Sequence, residues 1–261
     1  MAGVGSGLSL VLQSMNIDEA KIFLQGNFGK ELLKTTSSYV SPLFWGTPKN
    51  GDWSVDSNGT AFAIDCGEGP FLVTASHVYE GYLRAKSDAA AIRCQLGNME
   101  FVPEERMIDF RPSTELDIAT FRVTEEEIKG LGKTVLKGSN VSWPPAPPTD
   151  NSGILFAGFP GITRIALNES DYSFGVYAAL TPISSISTRH FGCAFDRAEW
   201  IDILGKGIPE DGYDLRGISG CPNANPRRVT FWIIFMASRR RHIQRIRCNW
   251  RDCFCPSRQI H

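Results

Sequence analysis

Short strand-like runs repeat through most of this chain, and they restrict its fold more than any other feature. The runs are rich in β-branched and aromatic residues and are separated by Gly, Pro, Asn and Asp: YVSPLFW, GTAFAIDC, GPFLVTASHV, AAIRCQL, DIATFRV, GILFAGFPG, SFGVYAALTPI and HFGCAF. Short strands separated by turn residues are typical of β-sandwiches and β-barrels. The sequence therefore predicts an all-β fold over most of its 261 residues.

Two segments interrupt the strand pattern and suggest a division of the chain. Residues 17–34 place apolar side chains near one face at helical spacing, which predicts a helix. Four prolines between positions 144 and 148 remove backbone donors and favour an extended linker. The sequence thus predicts four parts: a helical N-terminal extension (1–36), a first β unit (37–143), a second β unit (144–226) and a C-terminal tail (227–261).

Composition and charge exclude several classes of protein. With 42 % hydrophobic and 21 % charged residues, the chain is neither a disordered polymer nor a coiled coil. The net charge of −1 predicts no attraction of the whole protein to nucleic acid or to anionic membranes. The first residues lack a basic segment, and the apolar run at 231–237 is too short to span a bilayer. We therefore expect a cytoplasmic protein with free thiols and no membrane partner.

Three short motifs contain residues that together fit one chemistry. His77 follows the apolar run at 71–75, and Asp117 opens another apolar run at 118–123. Ser219 lies in GISG, where Gly217 and Gly220 allow a tight turn around a hydroxyl. Acyl transfer needs a hydroxyl nucleophile, an imidazole that takes its proton and a carboxylate that orients the imidazole. The three residues therefore form a candidate catalytic triad.

The segments LVTASHV, ELDIATFRV and DLRGISGCP resemble the three triad motifs of the trypsin-like serine peptidases, in the form found in bacteria. The order His, Asp, Ser and the spacings of 40 and 102 residues also match that family. The resemblance covers about residues 39–222, and it implies a chymotrypsin-like fold of two packed six-stranded β-barrels. His77 and Asp117 would lie in the first barrel and Ser219 in the second.

The resemblance also implies an activity, a serine endopeptidase that hydrolyses peptide bonds through an acyl-enzyme. His77 would act as general base and then as general acid, while Asp117 orients it. The backbone N–H groups of Gly217 and Ser219 would form the oxyanion hole. The implied partner is a protein or peptide substrate, with no metal and no organic cofactor, and the oligomeric state stays open.

Other interpretations of these residues are open. A histidine at a strand end, an aspartate at a strand start and a Gly-x-Ser-Gly turn each occur more often without a catalytic role. Cys221 stands where the family commonly has a second glycine, and it also departs from the G-x-S-x-G motif of α/β-hydrolases. The alternative function is a non-catalytic, peptidase-like binding module or an inactive remnant.

The C-terminal tail, 227–261, differs sharply from the rest of the chain. It contains nine arginines and one acidic residue, so one hypothesis is a basic arm for nucleic acid. Another hypothesis is a metal site, although the candidate ligands lack a paired C-x-x-C spacing: Cys248, Cys253, Cys255 and His261. A third hypothesis is a shifted reading frame after about Asn225, because the codons for Met236 and Ala237 read one nucleotide forward encode Trp. Such a shift would remove closing strands and weaken activity.

Overall fold

The structure is a computed structural model that describes residues 17–49, 52–112, 117–137, 153–168, 171–186, 191–193, 200–205, 207–210 and 213–218. Contacts within the chain divide it into two compact units. One unit takes residues 1–35 and 195–213, and the other takes residues 36–194 and 214–261. The candidate site residues all belong to the second of these ranges.

Two helices begin the described chain, α1 (Ile17–Gln25) and α2 (Asn27–Ser37). Asp18 and Glu19 lie in the first turn of α1, where carboxylates interact favourably with the helix dipole. The sequence predicted a helical extension over this range, and the structure has two helices there, separated at Gly26. Gly29 is required at its position, because a Cβ there would overlap the carbonyl oxygen of Leu24.

The main sheet of the second unit contains eight of the described strands. They are β1 (Val40–Lys49), β2 (Asp52–Asp65), β3 (Pro70–Thr74), β4 (Arg93–Leu96), β5 (Met99–Glu100), β6 (Met107–Pro112), β7 (Asp117–Arg122) and β8 (Leu136–Lys137). Their order is β5-β4-β1-β2-β3-β7-β6 with antiparallel neighbours, and the short β8 pairs in parallel with β2. The site described below lies at the end of β3 and the start of β7.

Three helices connect these strands: α3 (Ser76–Asp88), α4 (Pro103–Arg106) and α5 (Glu125–Gly130). Because successive side chains of a strand point to opposite faces, Leu72 and Val73 of β3 belong to different clusters. Leu72 shares a core cluster with Val78, Tyr79 and Tyr82 of α3. Helix α3 therefore covers one face of the sheet.

The later part of the chain adds smaller sheets. Strand β9 (Gly153–Gly158) pairs with β12 (Tyr177–Ile186), which also pairs with β13 (Phe191–Cys193). Strands β10 (Arg164–Ala166) and β11 (Tyr172–Phe174) form a separate antiparallel pair. A single turn of 3-10 helix, Gly161–Thr163, follows the end of β9.

The predicted all-β fold of two closed six-stranded barrels is wrong. Among the described residues the strands predominate but helices are also present, and the main sheet is open, with β5 and β6 at its two edges. The segment LVTASHV is strand-like in sequence, but β3 ends at Thr74 and a helix of 13 residues begins at Ser76. That helix packs Tyr79 against Phe110 and Phe121 on one face of the sheet.

Several predictions fall on residues that the structure does not describe. These are the proline segment at 144–148, the basic tail at 227–261 and the cysteine and histidine set considered as metal ligands. Within the described ranges, no helix has both the length and the hydrophobicity that crossing a membrane requires.

Candidate active site

His77 is the second residue of α3, immediately after the end of β3. Strand β3 is fixed at this end because the Thr74 hydroxyl donates to the carbonyl oxygen of Thr60, at 2.8 Å. Ala75 precedes the helix in an extended conformation and provides no side-chain cap. The first N–H groups of α3 therefore need an acceptor from elsewhere in the chain.

Asp117 supplies that acceptor. It is the first residue of β7, which runs antiparallel to β3 with Ala119 opposite Thr74. Asp117 therefore lies just beyond the end of β3, level with the first turn of α3. Its Oδ1 accepts hydrogen bonds from the backbone N–H of His77 at 3.0 Å and from the Ser76 hydroxyl at 2.6 Å. Its Oδ2 contacts Nδ1 of the His77 ring.

These contacts keep the Asp117 carboxyl ionised. Burial by itself would raise its pKa, because a charged group loses hydration. The donors on the His77 ring, the Ser76 hydroxyl and the His77 backbone outweigh burial and lower the pKa of Asp117 below its ordinary value. The carboxylate also lies at the N-terminus of α3, where the helix dipole favours its charged form.

The second ring nitrogen of His77 is in a different situation. Because Nδ1 contacts a carboxylate, we assign the ring proton of neutral His77 to Nδ1, which leaves Nε2 as an acceptor. Nε2 is buried and has no hydrogen-bond partner among the described residues, although 23 % of the side chain is exposed. An imidazole held in this way can accept a proton from a hydroxyl that reaches Nε2.

Residues 214–218, which come directly before Ser219, are anchored by hydrogen bonds. Gly161 donates its N–H to the carbonyl oxygen of Arg216 at 2.7 Å, and the Thr60 hydroxyl donates to the carbonyl oxygen of Gly217 at 3.1 Å. Gly217 has φ +102°, and a Cβ there would lie 2.6 Å from the Gly161 nitrogen. The close approach and the positive φ therefore both require glycine at position 217.

Strand β2 contacts both parts of the candidate site. A Cβ on Gly59 would lie 2.6 Å from Cγ1 of Val78, the residue after His77. The next residue, Thr60, binds the Gly217 carbonyl and also accepts from the Phe159 N–H at 2.9 Å. Adjacent residues of one strand thus touch the turn that holds His77 and the segment that leads to Ser219.

The structure brings two of the three predicted triad residues together. His77 and Asp117 are in contact, and Gly217 lies in the anchored segment. Ser219 lies outside the described residues, so its role and the paired N–H groups of Gly217 and Ser219 stay predictions.

Two residues with clear roles in this arrangement were missed from the sequence. Ser76 binds the Asp117 carboxylate, and Thr60 connects β3, Phe159 and Gly217. The available signal was a polar residue inside each of two apolar runs, LVTASHV and GTAFAID.

The described part of the chain contains no group of three or more His, Cys, Asp or Glu side chains placed to hold a metal ion. Comparison of the sequence with models of known protein families and with curated proteins gives no match.

Proposed function

We propose that this chain is a serine endopeptidase that hydrolyses peptide bonds, with Ser219 as nucleophile, His77 as general base and Asp117 as the group that orients His77. The observation that carries the proposal is the contact of the ionised Asp117 carboxylate with Nδ1 of His77, which leaves a buried Nε2 as an acceptor. The three triad-like motifs in the sequence point to the same chemistry.

In the proposed reaction the Ser219 hydroxyl oxygen attacks the carbonyl carbon of the substrate while Nε2 of His77 takes the hydroxyl proton. Asp117 stabilises the resulting imidazolium. His77 then gives the proton to the leaving amine as the C–N bond breaks, and an acyl-enzyme remains. Water attacks the ester by the same route, with His77 again as base, and releases the acid and free Ser219.

The oxyanion that forms in each step needs fixed donors. The proposal gives this role to the N–H groups of Gly217 and Ser219, where loss of one donor costs about 3 kcal/mol of transition-state stabilisation. This assignment is supported by the hydrogen bonds that anchor residues 216 and 217 on Gly161 and Thr60. A donor that is held in place before the reaction needs no reorganisation during it.

We also propose a cytoplasmic location and a peptide substrate. Cys94 is a buried free thiol, which is consistent with a reducing compartment. Burial raises its pKa, so the thiol stays protonated and unreactive at neutral pH.

A fluorophosphonate probe, which reacts with activated serines, tests the proposal. The probe should label the full chain and should fail to label the Ser219→Ala and His77→Ala variants. Ser87→Ala is the matched control, because Ser87 is an exposed serine on α3 whose hydroxyl binds only local groups, Arg84 and Asp88. Labelling that persists in Ser219→Ala would refute Ser219 as the nucleophile.

The same experiment separates the proposal from its alternative. Absence of labelling in a folded parent chain would favour a non-catalytic, peptidase-like binding module or an inactive remnant. Labelled protein should also cleave a mixture of unmodified peptides, and mass spectrometry of the products would then locate the cleaved bonds.

A further inference from the structure

We propose that Ser76 is a positioning residue for this reaction, because its hydroxyl holds the Asp117 carboxylate in the orientation that presents Oδ2 to His77. The inference rests on the proposed function, since Asp117 and His77 are the pair used there. Ser76 itself touches neither the substrate nor the reacting atoms in that mechanism.

The geometry of Ser76 shows that its hydroxyl donates to the Asp117 carboxylate. The side chain is 3 % exposed, and its oxygen lies 2.6 Å from Oδ1 of Asp117. An ionised carboxylate has no proton to give, so the hydroxyl is the donor. Hydrogen bonds to a charged group are stronger than those between neutral groups, and the donor of this one is buried.

The position of Asp117 explains why its side chain needs such a donor. Asp117 is the end residue of β7, and its cross-strand neighbour on β6 is Pro112, which has no backbone N–H. Backbone pairing therefore restrains this end of the strand weakly. Oδ1 takes two donors from consecutive residues, Ser76 and His77, and these two bonds fix the carboxylate against rotation.

Replacing Ser76 by Ala should therefore lower kcat while leaving KM unchanged. A charge-assisted hydrogen bond of this kind corresponds to about tenfold in rate. Ser76→Thr keeps the hydroxyl and should restore most of the lost kcat. Ser87→Ala removes a serine hydroxyl from the same helix, where it binds Arg84 and Asp88, and should leave kcat unchanged.

A second measurement does not depend on activity. Carbon NMR of Asp117 across pH should give a higher pKa in Ser76→Ala than in the parent chain, because one of the donors that lower it has gone. The Ser87→Ala control should leave the pKa of Asp117 where it is in the parent.

The two measurements distinguish the possible failures. If folded Ser76→Ala has the parent kcat and the parent pKa of Asp117, the positioning role is refuted. If the chain proves inactive but the pKa of Asp117 still rises in Ser76→Ala, the orienting contact stands and the proposed function fails. Should Ser76→Ala not fold, Ser76→Cys replaces the hydroxyl by a weak donor of similar shape and is judged by the same two results.

Discussion

Gly217→Ala gives the sharpest test of how residues 214–218 are held. With φ +102°, Gly217 has a backbone conformation that costs an alanine about 1–2 kcal/mol. The added Cβ would also lie 2.6 Å from the Gly161 nitrogen and 2.8 Å from the Phe159 carbonyl oxygen, so the segment must move away. That movement breaks the hydrogen bonds from Gly161 to Arg216 and from Thr60 to Gly217, for about 2 kcal/mol more.

Gly67→Ala is the matched control for this variant. Gly67 has nearly the same backbone angle, φ +106°, but a Cβ there would meet no atom within 4 Å. The control should lose only the conformational contribution of about 1–2 kcal/mol. Urea denaturation followed by tryptophan fluorescence should therefore give a midpoint for Gly217→Ala that is about 1 M below the midpoint of Gly67→Ala.

Equal losses of stability in the two variants would refute this reasoning. That result would mean that the close approach of Gly217 to Gly161 and Phe159 is absent in solution, and that the segment leading to Ser219 is not anchored on β2. A larger loss in Gly217→Ala, accompanied by reduced probe labelling, is the expected outcome.

Two further predictions concern Asp117 and the contact between Gly59 and Val78. The lowered pKa of Asp117 should make the parent more stable than Asp117→Asn above the ordinary carboxyl pKa of about 3.9, and this advantage should vanish as pH falls through the pKa in the folded chain. Unfolding free energies between pH 7 and pH 2 test this, and an advantage that grows in acid would contradict it. Gly59→Ala should destabilise by about 1–3 kcal/mol, because its Cβ meets Val78. The Gly59→Ala/Val78→Ala double variant should lose less than the sum of the single losses, whereas simple additivity would show that the two residues do not touch.

The strands were the most predictable part of the fold. The runs YVSPLFW, GTAFAIDC and DIATFRV correspond to parts of β1, β2 and β7, because β-branched and aromatic residues between turn residues carry a local signal. Whether such strands close into barrels is decided by pairing between distant segments, which no local pattern records. The expectation of closed barrels came from the resemblance, and the open sheet overturned it.

Helix α3 could not be predicted from the sequence, because its start carries no local signal. A local N-cap normally marks the start of a helix, but Ala75 occupies that position and offers no side-chain acceptor. The acceptor comes from Asp117, 40 residues after His77. The motifs predicted the contact between His77 and Asp117. No feature of the sequence distinguished Ser76 from other residues at the end of an apolar run.

The order in which the chain is made determines when the anchoring of residues 214–218 can form. The contact between His77 and Asp117 joins residues 40 positions apart, so both are synthesised early. The bond from Thr60 to Gly217 spans 157 positions, and it can form only after most of the chain has been made. Under the proposed function, a nascent chain on the ribosome therefore holds its base without its nucleophile. On that proposal, no peptide bond can be cleaved until synthesis has passed Ser219.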